Sequence, residues 1–261
     1  MHGLVGLLAA ALGLALGSFA NVVIHRVPRG ESVVSPPSAC PACGARVRAR
    51  HNVPVLGWLW LRGRCADCGA PISGRYPLVE ALTALIFAGI GLAVGLAWEL
   101  PLLLVLAFFT IVLSAVDLET RRLPDRIVAP FAALVVVSVL VVALGTGDLG
   151  VLWRSAIGAA AFGLFYFLAF LAYPRGMGFG DVKLAPVLGA VLGSLSWPAL
   201  AVGGFAAFLW GSLAGVIVMI MQRRGRGVAI PFGPWMFVGA WTGIVAGAAV
   251  ADWYLGVAGL T

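Results

Sequence analysis

The chain has 261 residues, of which 62% are hydrophobic and only 10% are charged, and its formal net charge is +7. Soluble globular domains contain about 25% charged residues, so this composition excludes a soluble enzyme and indicates a polytopic membrane protein.

Long apolar runs separated by short polar segments define the predicted transmembrane helices. A spanning helix needs about 20 mostly apolar residues. The first run lacks the basic start of a signal peptide and is longer than a typical signal core, so we expect a retained anchor. The predicted fold is all-α, with about eight transmembrane helices near residues 3–24, 77–97, 100–116, 127–145, 151–173, 182–196, 198–221 and 234–256.

The basic residues predict the orientation of these spans. Of the 17 Lys and Arg residues, 16 lie in the segments that follow spans one, three, five and seven, and only Arg154 lies on the other side. By the positive-inside rule those segments face the cytoplasm and both termini face outward, in the cytoplasmic membrane. They include Arg175 and the basic group Arg223, Arg224 and Arg226. Because topology and a lipid bilayer explain the charge, we expect no nucleic-acid partner.

The segment between the first two spans, residues 25–76, is the one sizeable polar domain and contains all four cysteines. They form the pairs Cys40, Cys43 and Cys65, Cys68, each with two intervening residues, and 21 residues separate the pairs. This spacing is typical of a structural zinc site with four thiolate ligands. Two disulfides are the alternative, disfavoured because the predicted topology places the thiols in a reducing compartment. Such a zinc ion has no open position for water, so we expect it to stabilise the domain's fold.

Between the two cysteine pairs, residues 52–64 combine tryptophan and leucine with flanking arginines. This composition predicts a segment that lies on the membrane surface, and peptide binding is the alternative.

The second span begins with Arg75-Tyr76-Pro77-Leu78-Val79-Glu80. Pro77 suits a first helical position. Glu80 in the opening turn would interact favourably with the helix dipole, and a role in substrate binding is an equally good interpretation.

Three acids, Asp117, Glu119 and Asp125, follow the apolar part of the third span. Asp125, after Pro124, is expected to cap the fourth span, and Glu119 to be solvated. Asp117 is joined directly to the apolar run and should be the least hydrated, although an ordinary ion pair with Arg121 is also compatible with the spacing.

A fourth acid, Asp181, ends the motif Gly178-Phe179-Gly180-Asp181 before the sixth span. It suits either a helix cap or a functional acid at the membrane margin. The helix from Asp181 to Trp197 would be about 25 Å long, shorter than the hydrocarbon core, so Asp181 should be recessed. We expect Gly178 and Gly180 to supply backbone freedom for a non-helical approach.

The predicted topology places Asp117 and Asp181 at the same leaflet, although they are 64 positions apart in the sequence. Two carboxylates held close together share a proton. The ionised acid can then take a proton from water while the protonated acid hydrogen-bonds a scissile carbonyl, which suits peptide hydrolysis. The alternatives are a zinc-stabilised transporter with the two acids as an ion relay, and a non-enzymatic assembly scaffold.

Several motifs occur along the chain: Gly17-Ser18-Phe19, Asn21-Val22-Val23-Ile24, the two cysteine pairs, residues 75–80, 117–125 and 178–184, and Pro231-Phe232-Gly233-Pro234. Taken together, they resemble the type IV prepilin peptidases, which belong to the GxGD membrane aspartic proteases together with presenilin and signal peptide peptidase. The resemblance implies that the catalytic acids are Asp117 and Asp181, with Glu80, Gly178, Gly180 and Lys183 in supporting motifs. With the predicted spans, it implies a transmembrane helix at 1–24, a cysteine domain at 25–76 and a membrane-embedded peptidase domain at 77–261.

The resemblance also implies a substrate class. Members cleave the short basic leader of prepilins of type IV pili, or of pseudopilins of type II secretion, on the cytoplasmic side of a glycine that precedes a hydrophobic stem. Many also methylate the new amino terminus with S-adenosylmethionine. No Rossmann-type glycine motif occurs between residues 25 and 76, so the sequence does not locate the site of the methyl donor.

Overall fold

Helices account for most of the chain in the computed structural model, which describes residues 1–174, 176–222 and 230–259. Within these ranges there is no strand beyond two isolated β-bridges in the cysteine segment. The helices are α1 (His2–Arg26), α2 (Leu56–Trp60), α3 (Arg75–Val94), α4 (Leu100–Thr120), α5 (Asp125–Thr146), α6 (Gly150–Ala172), α7 (Phe179–Leu195), α8 (Trp197–Gln222) and α9 (Gly233–Val257).

The eight predicted spans correspond to α1 and to α3 through α9, which confirms the predicted all-helical fold. In the described ranges, seven of these helices are long and apolar enough to cross a membrane. The exception is α7, whose 17 residues extend over about 25 Å, less than the hydrocarbon thickness. Arg175 and the basic group Arg223, Arg224 and Arg226 lie outside the described residues.

The chain divides into two units, Met1–Val112 and Leu113–Thr261. In the first unit α1 packs lengthwise on α3. A Cβ atom at Gly13 would lie 2.7 Å from Ala84 Cα, and one at Gly17 would lie 2.7 Å from Glu80 Cα. These glycines therefore allow the close backbone approach that small residues give to membrane helices.

In the second unit α7 packs against α5, α6, α8 and α9. Its contact with α6 is very close, since a Cβ atom at Gly158 would collide with the carbonyl oxygen of Gly189. Most of the α7 side chains are buried, including Leu184, Leu188 and Leu192. A short helix surrounded in this way holds the residues of its first turn in fixed positions.

Candidate active site and cysteine cluster

Asp117 lies in the last turn of α4 and is 5% exposed. Its Oδ2 atom accepts a hydrogen bond of 3.0 Å from the backbone N–H of Gly233, the first residue of α9. The N–H groups at a helix N-terminus point toward anionic or polar oxygens, so this contact orients the carboxylate. By contrast, Glu119 and Asp125 are exposed, which agrees with the expectation that Asp117 is the least hydrated of the three acids.

Asp181 is the third residue of α7 and is 6% exposed. Gly178 occupies the N-cap position of this helix, and Asp181, three residues later, completes a capping box, so the expected capping role is confirmed although Asp181 is not the N-cap residue itself. The Asp181 carboxylate instead accepts the Gly178 N–H at 3.2 Å, while the Asp181 N–H donates to the Gly178 carbonyl oxygen at 3.0 Å. This reciprocal pair satisfies free backbone groups at the helix start and fixes the side chain of Asp181.

Both acids belong to the second unit, and their carboxylates are close enough to repel each other electrostatically. Leu123 lies beside both Gly180 of α7 and Gly233 of α9, the residue that donates to Asp117. A Cβ atom at Gly180 would be 2.9 Å from Leu123 Cβ, and one at Gly233 would be 3.5 Å from Leu123 Cδ1 and 2.7 Å from Asp117 Oδ2. The structure therefore brings together the two acids that the sequence analysis singled out.

Gly178 and Gly180 matter because their small size leaves room for neighbouring side chains. Gly178 has φ of −72° and ψ of 141°, a conformation open to any residue, and Gly180 lies inside α7. The expectation that they supply unusual backbone freedom was wrong. A Cβ atom at Gly178 would lie 3.3 Å from Asp181 Oδ2, so glycine leaves room for the carboxylate there and for Leu123 at position 180.

Lys183 forms an ion pair with Asp125, with distances of 2.6 and 2.9 Å from its Nζ atom to the two carboxylate oxygens. The same Nζ atom lies 5.1 Å from the ring centroid of Phe179. Asp125 is the first residue of α5, whose cap is Pro124, so the prediction that Asp125 caps the helix was wrong. The pair joins the start of α5 to the first turns of α7.

An aromatic group that the sequence analysis missed borders the two acids. Tyr166 of α6 is 2% exposed, and its ring centroid lies 5.5 Å from that of Phe208 and 6.3 Å from that of Phe232. Tyr166 interacts electrostatically with Asp181, and Phe232 directly precedes Gly233. A tyrosine within an apolar span was the available signal, because a buried hydroxyl needs a polar neighbour.

The four cysteines form one cluster in the first unit. Their Sγ atoms all lie within 4.8 Å of one another, and those of Cys40 and Cys68 are 3.8 Å apart. A Zn–S distance of 2.3 Å in a tetrahedral site gives sulfur separations of about 3.8 Å, so the arrangement fits a zinc ion. A disulfide would need about 2.05 Å.

The two cysteine turns repeat one geometry. In the first, the Cys40 N–H donates to the carbonyl of Ala45, and Gly44 adopts φ of 73°. In the second, the Cys65 N–H donates to the carbonyl of Ala70, and Gly69 adopts φ of 72°. Glycine after each Cys-x-x-Cys pair thus permits the left-handed conformation that closes the turn.

Backbone N–H groups in these turns favour thiolate at one cysteine. The N–H groups of Cys43 and then Ala42 lower the pKa of the Cys40 thiol to about 7. Thiolate is the form that ligates a metal ion, so Cys40 is suited to ligation at neutral pH.

Glu80 is 8% exposed and lies in α3, beyond its first turn, so the helix-dipole interpretation was wrong. Its Oε2 atom accepts a hydrogen bond of 2.7 Å from the backbone N–H of Val55. Nearby, the Asn21 side chain donates to the carbonyl of Tyr76 at 3.1 Å, which joins α1 to α3. Glu80 therefore connects α3 to the cysteine segment of the same unit.

Comparisons with known proteins cover nearly the whole chain. Residues 11–94 match the model of the bacterial peptidase A24 N-terminal domain, and residues 104–220 match that of the type IV leader peptidase family. The prepilin leader peptidase/N-methyltransferase of Aeromonas hydrophila is 34% identical over 97% of this chain and 96% of its own length. Proteins of the same name from Neisseria gonorrhoeae and Pseudomonas aeruginosa are 34% and 31% identical, over 95% of this chain in both cases and over 94% and 92% of their own lengths. No solved structure matches the chain.

Proposed function

This chain belongs to the type IV leader peptidase family, and on that premise we propose that it is a membrane aspartic endopeptidase that cleaves the leader peptides of prepilins or pseudopilins. The proposal rests on one observation above all, the burial of Asp117 and Asp181 within the same unit, close enough to interact electrostatically. The matched relatives are peptidases, so the transporter alternative is not supported.

The two acids act together as a pair that shares one proton. The ionised carboxylate takes a proton from the attacking water, and the protonated carboxyl donates a hydrogen bond to the scissile carbonyl. In each residue Oδ2 is oriented by a backbone N–H, from Gly233 on Asp117 and from Gly178 on Asp181. This arrangement leaves Oδ1 of each acid for water or substrate. The proton belongs to the pair, so neither acid is assigned as the protonated one.

Two cofactors follow from the same proposal. A structural zinc ion bound by Cys40, Cys43, Cys65 and Cys68 stabilises the cysteine domain, and the spacing of the sulfur atoms supports this. The name of the relatives includes N-methyltransferase, and S-adenosylmethionine would supply the methyl group for the new amino terminus.

The proposed location is the cytoplasmic membrane, with the cysteine domain and the acid pair facing the cytoplasm and both termini outside. The distribution of Lys and Arg residues in the sequence supports this orientation. The basic leader of a prepilin would then be accessible to the acid pair from the cytoplasm.

Replacing either acid by asparagine tests the proposal. In cells that co-express a prepilin, Asp117→Asn and Asp181→Asn should each abolish cleavage, because an amide can neither accept the water proton nor share a proton with the second acid. Mass spectrometry of the prepilin reports the cleavage position and the methylation together. Asp252→Asn, the same change at an exposed residue near the end of α9, is the control and should cleave normally. Full cleavage by either catalytic variant would reject the proposal and favour the scaffold hypothesis.

A further inference from the structure

We propose that α2 docks the cysteine segment onto the surface of the lipid bilayer, with the side chains of Leu56, Leu59 and Trp60 inserted among the lipid headgroups. Glu80 acts as the positioning residue that holds α2 at this level. The proposal does not depend on the peptidase activity.

The short helix α2 has two different faces. On the inner face Trp58 donates a hydrogen bond of 3.1 Å to the carbonyl of Ile72 and packs over Gly63, where a Cβ atom would lie 2.8 Å from the indole ring. On the outer face Leu56, Leu59 and Trp60 are 62%, 56% and 75% exposed. Residues three and four positions apart share one side of a helix, so these three side chains form a continuous apolar surface. The cysteine segment itself does not cover this surface.

The hydrogen bond between Glu80 and Val55 fixes the position of α2 along the axis of α3. Val55 directly precedes α2, and its N–H lies 2.7 Å from Glu80 Oε2. Glu80 is five residues after Arg75, the first residue of α3, so it lies about 7.5 Å along the helix axis from that end. Since α3 is long and apolar enough to cross a membrane, the start of α2 is fixed beside the first turns of a membrane helix. Arg75 and Tyr76, which begin α3, are residue types of the membrane interface, so the proposal places the start of α2 at the inner edge of the headgroup region.

The backbone conformation of Val55 indicates that the position of α2 is held at a cost in conformational free energy. Val55 has φ of 62°, a left-handed conformation that is strongly disfavoured for a β-branched residue. Such a conformation persists only where surrounding interactions enforce it. Two hydrogen bonds hold it here: the Leu56 N–H donates to the Pro54 carbonyl oxygen at 2.6 Å across Val55, and the Val55 N–H donates to the buried Glu80 side chain.

The surroundings of the outer face match an anionic bilayer surface. Arg50, Arg62 and Arg64 flank α2 in the sequence, and all three are exposed. Tryptophan and leucine combined with arginine are typical of segments that lie at the membrane interface, where anionic lipids attract the basic residues. Because α2 is tethered beside α3, the bilayer reaches this surface without a diffusing partner.

Photo-crosslinking in a bilayer tests the proposal directly. The full chain is placed in nanodiscs of phosphatidylcholine and phosphatidylglycerol that contain a phospholipid with a diazirine near its glycerol backbone. After illumination, mass spectrometry should find adducts on Leu56, Leu59 and Trp60 but not on the inward-facing Trp58. Labelling of Trp58 as often as of Leu59 and Trp60 would overturn the proposal, as would crosslinking of α2 to an added prepilin peptide in place of lipid.

Two variants separate the apolar surface from its positioning residue. Replacing both Leu56 and Leu59 by serine should lower the labelling of residues 53–62 roughly tenfold, because the contact with lipid loses two apolar side chains. Val34→Ser, at an apolar residue of the same segment that is 87% exposed, is the matched control and should leave this labelling unchanged. Equal labelling in the double variant and in the wild type would contradict the proposal.

Glu80→Ala should release α2 while its leucines remain. Hydrogen exchange of the backbone amides of residues 55–60 in nanodiscs should then accelerate at least several-fold, with the amides of the central turns of α3 unchanged. Glu31→Ala, at an exposed acid of the same segment, serves as the control. Unchanged exchange at residues 55–60 in Glu80→Ala would show that Glu80 does not position α2.

Discussion

Gly233 is the residue that most directly orients Asp117. Its N–H donates to Asp117 Oδ2, and its missing side chain leaves the space that this oxygen occupies, since a Cβ atom there would lie only 2.7 Å away. The sequence Pro231-Phe232-Gly233-Pro234 predicts a rigid, aromatic turn that helps to shape a site, but it does not indicate which residue the turn contacts. Gly233 and Asp117 are 116 positions apart, and a contact over this separation leaves no local sequence pattern. The contact of Gly233 with Asp117 was therefore not predictable.

Gly233→Ala should lower prepilin cleavage roughly 10- to 100-fold, because the new methyl group displaces the carboxylate although the N–H donor is kept. Cleavage rates of purified protein on a prepilin substrate measure the effect, which should fall mainly on kcat. Gly256→Ala is a matched control in the same helix, where a Cβ atom would meet nothing within 4 Å. Equal rates for both variants would show that Gly233 does not position Asp117.

Gly178 and Gly180 are present for a different physical reason from the one that their sequence motif suggested. The motif ends at Asp181, which the structure buries, yet the expected reason for its glycines, backbone freedom, was wrong. The actual reason is the space needed by the Asp181 carboxylate and by Leu123. Leu123 comes from the segment between α4 and α5, so only the folded chain reveals what each glycine accommodates.

The two cysteine turns and the helices are the elements that local sequence predicts best. Each turn needs only Cys-x-x-Cys followed by glycine, and each long helix needs only its apolar length. The connection of α2 to α3 through Val55 and Glu80 was not predictable, because it depends on a hydrogen bond over 25 positions. Local sequence patterns were therefore sufficient to predict the helices and the cysteine turns. The contacts that connect these elements could be identified only in the folded chain.

Zinc removal should unfold the cysteine turns while the membrane helices persist. Purified protein should contain about one zinc ion per chain, and Cys43→Ser should lose most of it, because four thiolates are required to close the site. Metal analysis together with hydrogen exchange of residues 30–74 measures both effects. Asp67→Asn, which lies between two of the cysteines and pairs with Arg48, keeps all four ligands and should retain the metal. A chelator that strips the metal without changing exchange in this segment would contradict the structural role.

Charge distribution is the property of the whole chain that predicts its orientation in the membrane. Lys and Arg residues are concentrated after alternate spans, and the Lys183–Asp125 pair shows that not every one of these charges is free at the surface. Positive segments resist transfer across the cytoplasmic membrane, so the sum of all such segments selects one of two opposite topologies. Helix positions alone do not distinguish these topologies, since both contain the same spans.

Reporter fusions at the turns between helices measure which of the two opposite topologies the chain adopts. Alkaline phosphatase, which is active only outside the cytoplasm, should be active when fused after Gly95 or Gly147, which end α3 and α5. It should be inactive when fused after Gly74, which directly precedes α3, and a green fluorescent protein fused there should be bright. The reason is that the segment between α1 and α3 carries six of the basic residues, and moving them across the membrane is unfavourable. The reverse pattern of activities would place the cysteine segment outside the cell, where its thiols would meet an oxidising environment, and would reject the proposed orientation.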